Sequence, residues 1–190
     1  MTIKDKPLLP TYLAKLMLAR VIRLGDMVID ATCGNGHDTL FLAESVGETG
    51  KVLAFDVQDP AIEAARKRVA AAGCEDRVIF FRESHARLAD RAAPHSVTAV
   101  MFNLGYLPGN DHTVATGDDT MEAIESAIML LRSGGAISVI CYPGHVGGAA
   151  EANAVEERLA RLGDDKWRVV KYQALGTLSP APYLVFAVRP

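Results

Sequence analysis

Apolar residues recur along the chain first at helical and then at strand spacing. In 10–26, a stripe of apolar side chains repeats every three or four residues, which predicts a helix. Beyond it, short β-rich runs alternate with helical segments, and this alternation predicts an α/β fold built on a parallel sheet. The predicted strands are Met27–Asp30, Val52–Asp56, Val78–Arg82, Thr98–Asn103 and Ala136–Tyr142.

The segment after the second strand has clear helix boundaries. Asp59 is the predicted N-cap, Pro60 suits the first helical position, and Gly73 suits the C-terminal stop. The sequence therefore predicts a helix that ends just before Gly73.

The end of the chain breaks the alternation. Residues 167–176 and 182–190 read as two strands joined by a short Thr/Ser/Pro segment, which is too brief for a crossover helix. The last strand is therefore predicted to run antiparallel. Since no composition break marks a linker, we expect one domain over 1–190, with 1–25 as a helical segment packed on it.

Composition narrows the class of protein. The chain has 190 residues, of which 49% are hydrophobic and 23% charged, and this fits a globular protein with a full core. No apolar run has the length of a signal peptide or a membrane span. Cys33, Cys74 and Cys141 show neither paired nor zinc-site spacing, which predicts reduced thiols and a cytoplasmic protein.

The formal charge of −3 bears on nucleic-acid partners. It argues against a long DNA duplex as partner but leaves room for a small basic patch that grips a short RNA loop. The densest basic cluster is Arg66, Lys67 and Arg68, for which a solvated helix face is the default interpretation.

The stretch "DATCGNGHDTL", residues 30–40, joins a predicted strand to a predicted helix. Backbone amides at such a helix start point outward, and glycines let a ligand approach them, so the turn predicts a nucleotide-like cofactor. Thr39 stands where a dinucleotide fingerprint has its third glycine, and no GK[ST] of a P-loop follows. Asp56 ends the next strand, where an acid accepts hydrogen bonds from ribose hydroxyls. Asp30 also fits a role in ordering the loop through backbone N–H groups.

The "DATCGNG" loop and the "FDVQ" acid resemble those of class I S-adenosylmethionine-dependent methyltransferases. The resemblance implies a Rossmann-like seven-stranded sheet of order 3-2-1-4-5-7-6, with strand 7 antiparallel and helices on both faces. It also implies S-adenosyl-L-methionine as the cofactor. The cofactor-binding residues that it implies are Asp30, Thr32, Gly34, Asn35, Gly36, Asp38, Thr39, Asp56, Gln58, Ser84, His85 and Asn103.

A second informative stretch is "VMFNLGYLPGND", in which an apolar strand ends at Asn103 and passes into a turn with Tyr106. Amino-methyltransferases carry an [N/D]-P-P-[Y/F] turn there, which holds the acceptor nitrogen and stacks on a flat substrate. This chain has Asn-Leu-Gly-Tyr instead. The irregular stretch 107–119 follows a parallel strand and is expected to border the substrate.

Four motifs together, "DATCGNGHDTLFLA", "SHARL", "FNLGYLPGND" and "YPGHVGGAAE", are similar to those of the rRNA methylase family. This resemblance implies N-methylation of the 5-aminomethyl group on the wobble uridine of transfer RNA, with the anticodon loop as partner and a homodimer by analogy. Asn103, Tyr106 and His145 are the catalytic candidates that it implies. An alkylamine must be neutral to attack, so Asn103 is expected to hold it while His85 or His145 takes a proton.

Other functions remain open at the level of the sequence. Ribosomal RNA and small molecules are alternative substrates. Base C5 methylation would need a cysteine nucleophile, for which Cys141 is the candidate, although a cysteine in an apolar strand is usually inert packing. Metal-assisted O-methylation would draw on Asp111, Asp118 and Asp119, but adjacent loop acids are usually solvated, and we predict no metal site. A non-catalytic cofactor-binding subunit is the remaining alternative.

Overall fold

The computed structural model describes residues 9–105 and 117–190, and its centre is a seven-stranded sheet. The strands, numbered along the chain, are β1 (Met27–Asp30), β2 (Lys51–Phe55), β3 (Val78–Phe81), β4 (Val97–Asn103), β5 (Leu131–Cys141), β6 (Arg168–Gln173) and β7 (Tyr183–Val188). Their order in the sheet is β3-β2-β1-β4-β5-β7-β6, which confirms the predicted topology. β7 runs antiparallel to both β5 and β6, as the short link before it predicted.

Strand β5 differs most from its prediction, because it begins at Leu131 rather than Ala136. The glycine pair 134–135 reads as the end of a turn, yet the chain passes through it within the strand. Gly134 has φ +74°, and the register between β4 and β5 shifts between Val97 and Ala99. The two glycines therefore lie at an irregularity in the β4–β5 ladder, and not in a loop that precedes the strand.

Within the described residues, five α-helices surround the sheet. They are α1 (Pro10–Val21), α2 (His37–Val46), α3 (Asp59–Ala71), α4 (Gly117–Leu130) and α5 (Gly148–Ala160). The prediction that Asp59 caps α3 was wrong by one residue: Gln58 occupies the N-cap, and the Asp59 carboxylate forms an exposed ion pair with Arg82. The predicted stop is confirmed, since Gly73 has φ +66° and the N–H of Cys74 bonds to the carbonyl of Val69.

The two faces of the sheet bury separate hydrophobic clusters, because successive strand residues point to opposite sides. In β1, Val28 packs with the α1, α2 and α3 side, whereas Ile29 packs with the α4 and α5 side. Ala14 and Leu18 of α1 are fully buried against the sheet of their own chain. The homodimer stays a prediction.

None of the helices within residues 9–105 and 117–190 has the length and apolar character needed to cross a membrane. Because β1, β2, β3, β4 and β5 are parallel, their carboxyl ends share one edge of the sheet. The loops that follow them meet there, which is where ligands bind in doubly wound folds.

Candidate active site

A cleft of about 370 Å³ opens at the carboxyl ends of the parallel strands. That volume is within the range of pockets that bind small ligands, roughly 300–1,000 Å³. Most residues predicted to bind the cofactor line it together: Thr32, Gly34, Asn35, Asp38, Asp56, Gln58, Ser84, His85 and Asn103. The structure therefore gathers residues from four separate segments of the chain around one space.

Three other predicted residues, Asp30, Gly36 and Thr39, do not line the cleft but determine the conformation of the glycine loop. Asp30 is buried, and its Oδ2 accepts a hydrogen bond of 2.6 Å from the Thr39 hydroxyl. Its Oδ1 accepts from the N–H of Thr32 at 3.2 Å. Gly36 is the N-cap of α2 in the left-handed conformation, with φ +77°. The two hydrogen bonds of Asp30 and the left-handed conformation of Gly36 therefore fix the loop, although none of the three residues lines the cleft.

Replacing Gly36 with alanine is expected to lower the free energy of unfolding by about 3 kcal/mol or more. A Cβ there would lie 2.6 Å from the backbone Cα of Ala65, in addition to the strain of positive φ. Gly73→Ala is a matched control, since Gly73 also has positive φ (+66°) but nothing lies within 4 Å of its Cβ position. Denaturant unfolding of the control should show a loss of only about 1 kcal/mol. Equal losses in both variants would contradict the close packing of α2 on α3.

The buried carboxyl of Asp30 should make stability depend on pH. Burial raises its pKa from 3.8 to about 7, and the negative charge of Asp38 adds to the rise. Between pH 4 and pH 7 the folded state then holds a proton that the unfolded chain has lost, so the free energy of unfolding falls as pH rises through that window. Asp30→Asn should remove this decline, because the amide keeps an acceptor for one bond and needs no proton. Denaturant unfolding of both proteins at several pH values tests this, and parallel curves would contradict it.

Asp56 follows β2 directly and links two turns of the cleft. Its Oδ2 accepts from the N–H of Gly34 at 2.9 Å, and its Oδ1 accepts from the N–H of Gln58 at 3.0 Å. Each carboxylate oxygen has two lone-pair directions, so each can accept one further hydrogen bond from a ligand that enters the cleft. Asp56 is therefore placed to accept hydrogen bonds from two neighbouring hydroxyl groups of a ligand.

Ser84 and His85 lie after β3, on the same half of the cleft. Ser84 caps a short 3₁₀ helix (His85–Asp90) by accepting the N–H of Ala86 at 3.2 Å, and its hydroxyl donates to Asp119 at 3.2 Å. The His85 ring packs edge-on against Phe102. Burial lowers the pKa of His85, which makes it a weaker base than an exposed histidine.

Asn103 ends β4 and is held by a chain of polar contacts. Its Nδ2 donates to Asp38 Oδ2 at 3.2 Å, and Asp38 Oδ1 forms a 2.7 Å ion pair with Lys15 of α1. An ionised carboxylate only accepts, so the NH₂ group of the Asn103 side chain must face Asp38, and among residues 9–105 and 117–190 its carbonyl oxygen is left for another partner. The backbone N–H of Asn103 donates to the Thr32 hydroxyl at 2.7 Å.

Three further residues from the second half of the chain line the cleft. Tyr142 lies against Gly105, where a Cβ would come within 3.0 Å of its ring. Thr120 of α4 and Glu151 of α5 also line the cleft and are joined by a 2.7 Å hydrogen bond from the threonine hydroxyl. Glu151 was visible in the sequence as the last residue of "YPGHVGGAAE", but the partner that places it is 31 positions away.

His145 does not line the cleft, although it was predicted as a catalytic residue. It packs in the turn between β5 and α5, with its Nδ1 3.2 Å from the Val146 carbonyl. Tyr106, the remaining catalytic candidate, lies outside the described residues, as does Asp111.

Cys141 is fully buried in β5 and does not line the cleft. Burial raises the pKa of its thiol to about 12, so almost none of it is thiolate near pH 7. This geometry argues against Cys141 as the nucleophile of a C5 methylation. In the described part of the chain, no three His, Cys, Asp or Glu side chains are grouped to hold a metal ion.

The basic cluster on α3 is partly engaged by the protein itself. The Arg66 guanidinium lies 4.7 Å from the centre of the Phe80 ring, and Arg68 Nε donates to the Asn35 carbonyl at 2.7 Å. Arg68 therefore supports the glycine loop from the side, a role that the charge pattern alone did not indicate.

Comparison with known proteins gives consistent matches. The family model described as "Putative rRNA methylase" matches residues 52–188. A chloroplastic tRNA (mnm(5)s(2)U34)-methyltransferase of Arabidopsis thaliana is 39% identical over 189 residues, covering 94% of this chain and 69% of the relative.

Two solved structures are similar over nearly their whole length. One is described as a putative rRNA-methylase from Clostridium thermocellum, with TM-score 0.90 and 36% identity over 95% of this chain and 97% of that chain. The other is described as a putative methyltransferase from Streptococcus mutans in complex with SAH, with TM-score 0.86 and 30% identity over 96% and 98% of the two chains.

Proposed function

Because the chain belongs to the rRNA methylase family, as an S-adenosylmethionine-dependent methyltransferase that acts on RNA, we propose that it N-methylates the 5-aminomethyl group of a transfer RNA wobble uridine. The observation that carries the proposal is the orientation of Asn103 in the cleft. Its carbonyl oxygen is left to accept an amine N–H, because Asp38 holds the other side of the amide. The name of the Arabidopsis relative supports the choice of nucleotide.

S-adenosyl-L-methionine is the cofactor and supplies the methyl group as an electrophile. The residues present fit it: an acid with spare lone pairs at the end of β2, a glycine loop at the end of β1, and Ser84 and His85 at the end of β3. In the proposal, Asp56 binds the ribose hydroxyls, the loop at Gly34 borders the methionine part, and His85 lies by the adenine. Asp30, Gly36 and Thr39 hold the loop in shape.

The acceptor half of the cleft is formed by Asn103, Gly105, Tyr142, Thr120 and Glu151. Asn103 holds the amine by hydrogen bonding, without being a base. Positioning of this kind contributes much of the rate of a bimolecular displacement, about 7–11 kcal/mol when the geometry is good. Tyr142, and Tyr106 from outside the described residues, are proposed to contact the base.

The proposal also places the protein in the cytoplasm with the transfer RNA anticodon loop as its partner. The three cysteines within the described residues are all free and buried, which fits a reducing compartment.

The test is methyl transfer to defined RNA. We expect the purified protein with labelled S-adenosylmethionine to add one methyl group to an anticodon stem-loop that carries 5-aminomethyluridine, and nucleoside analysis should place it on the aminomethyl nitrogen. The same stem-loop with plain uridine is the control. Label on a ribosomal RNA fragment or on a ring carbon instead would overturn the substrate.

A further inference from the structure

We propose that Glu151 recognises the acceptor amine: its carboxylate accepts a hydrogen bond from the amine and stabilises the positive charge that arrives on the nitrogen. The inference rests on the proposed function, because it presupposes an alkylamine acceptor. It gives a role to a cleft residue to which the cofactor assignment gives none.

Among the described residues, four carboxylates line the cleft, and the protein itself compensates the charge of three of them. Asp38 is paired with Lys15 at 2.7 Å, and Glu83 is paired with Arg91, whose Nε lies 3.1 Å from Oε2. Asp56 accepts two backbone N–H groups, as described above.

Glu151 is the fourth carboxylate, and it differs from the others. It accepts the Thr120 hydroxyl, and within residues 9–105 and 117–190 no basic nitrogen lies within 4.0 Å of it. A half-buried carboxylate without a positive partner is costly to desolvate further, so it favours a cationic ligand in the cleft.

Its position in the sheet separates Glu151 from the cofactor acid. Glu151 is in the first turns of α5, which follows β5, whereas Asp56 follows β2. In the order β2-β1-β4-β5, three strand spacings of about 4.8 Å separate these strands, or roughly 14 Å. Asn103 at the end of β4 lies between them, so Glu151 faces the acceptor half.

The turn before α5 is built to bring the helix close to the cleft. A Cβ at Gly148 would lie 2.3 Å from the Tyr142 carbonyl oxygen and 2.5 Å from His145 Cε1. Only glycine therefore fits where α5 begins, and the first turns of the helix approach the cleft residue Tyr142. This explains why "YPGHVGG" precedes Glu151: the motif sets the position of the acid.

The chemistry of transfer requires such a group. As the bond between nitrogen and methyl forms, the bond between sulfur and methyl breaks, sulfur keeps the electron pair, and the positive charge passes to nitrogen until a proton leaves to water. A carboxylate next to the nitrogen stabilises that charge. It also raises the pKa of the bound amine, because an opposite charge favours the protonated form. Glu151 thus favours an acceptor that carries an amine over one that has no group able to take up a positive charge.

Binding is the direct test. We expect the wild-type protein, with S-adenosylhomocysteine bound, to prefer a stem-loop carrying 5-aminomethyluridine over the same RNA with uridine by about tenfold. Glu151→Gln keeps the shape and the acceptor for Thr120 but removes the charge, so its preference should fall well below tenfold, to the part that the Asn103 hydrogen bond contributes. A preference that survives unchanged in the variant would overturn the inference.

The pH dependence of kcat distinguishes a charge effect of Glu151 from a purely structural role, because a structural role would not shift it. Glu151→Gln should lower kcat/KM for the aminomethyl RNA by about tenfold, with a smaller change in kcat. The rise of kcat with pH should shift to lower pH in the variant, since the bound amine loses its proton more easily. An unshifted profile with unchanged kcat/KM would overturn the inference.

A matched variant separates the charge of Glu151 from the other charges of α5. Glu156→Gln removes a carboxylate of α5 that is paired with Lys171 and does not line the cleft. It should keep the RNA preference. Affinity for S-adenosylhomocysteine alone should be equal in Glu151→Gln and wild type. A tenfold loss there would make Glu151 a cofactor ligand and overturn the inference.

The outcomes distinguish the two proposals. If the wild type methylates aminomethyluridine and Glu151→Gln behaves in the same way, the inference is wrong and the proposed function stands. If binding prefers the aminomethyl RNA and that preference depends on Glu151, but no methyl group is transferred to the amine, the inference stands and the proposed function is wrong. If the wild type shows no methyl transfer to the aminomethyl RNA and no preference for binding it, both proposals are wrong.

Discussion

Asn103→Ala is expected to slow methyl transfer by about 100-fold or more while the affinity for S-adenosylhomocysteine changes by less than about threefold. The variant loses the carbonyl oxygen that is left for the acceptor N–H, and it releases Asp38 from its 3.2 Å hydrogen bond. The amine then enters the cleft without a fixed direction for its lone pair. Since the backbone N–H of Asn103 still donates to Thr32, the end of β4 should keep its place.

Single-turnover rates with saturating RNA, together with calorimetry of S-adenosylhomocysteine binding, measure the two effects separately. Asn153→Ala is the matched control, because Asn153 is an exposed asparagine of α5 outside the cleft lining. Its rate should equal that of the wild type. An Asn103→Ala enzyme with a rate within threefold of wild type would show that the amine is held by other groups.

The fold was predictable because its signals are local. Strand runs separated by helical segments specify the parallel part of the sheet, and the short link before β7 specifies its reversal. The error at β5 has a physical cause: Gly134 and Gly135 have the composition of a turn, but they lie at the register shift between β4 and β5, and their backbone groups bond to Arg189 just after β7. Neighbouring strands, not the local sequence, decide such cases.

The cofactor half of the site was predictable for the same reason, since the glycine loop and its acid follow adjacent strands. In the acceptor half, Asn103 was predicted, but the contacts that orient its side chain were not. Asp38 was predicted as a cofactor residue, whereas the structure pairs it with Lys15 of α1 and with Asn103. These contacts join residues that are far apart in sequence, and no local pattern encodes them. Glu151 was missed for the same reason.

The histidines show how burial changes a prediction that was based on residue type. A histidine near a cleft suggests a proton acceptor, yet burial lowers the pKa of His85, and His145 packs in the turn before α5. The charges that border the acceptor half come from carboxylates instead. Proton loss to water then fits the site better than transfer to a ring nitrogen, because the cleft opens to solvent at the strand ends.

Asp56→Ala is expected to weaken S-adenosylhomocysteine binding by about 100-fold or more. In the proposed site the Asp56 carboxylate accepts two ribose hydroxyls, and each charge-assisted bond is worth about 1.5–3 kcal/mol. A loss of about 2.7 kcal/mol already corresponds to 100-fold. The variant also frees the N–H groups of Gly34 and Gln58, so the glycine loop loses the contact that holds it to the end of β2.

The fold should survive this change, because Gly34 and Gln58 are partly exposed and water can replace the carboxylate at their N–H groups. Asp59→Asn is the matched control: Asp59 is three residues further on, and its ion pair with Arg82 is exposed, so it should bind the ligand like the wild type. Calorimetry with thermal unfolding of the same samples separates affinity from stability. If Asp56→Ala bound the ligand within threefold of wild type, the cofactor would have to lie elsewhere in the cleft, since in the part of the chain that the structure describes no other carboxylate joins the loop after β1 to the turn after β2.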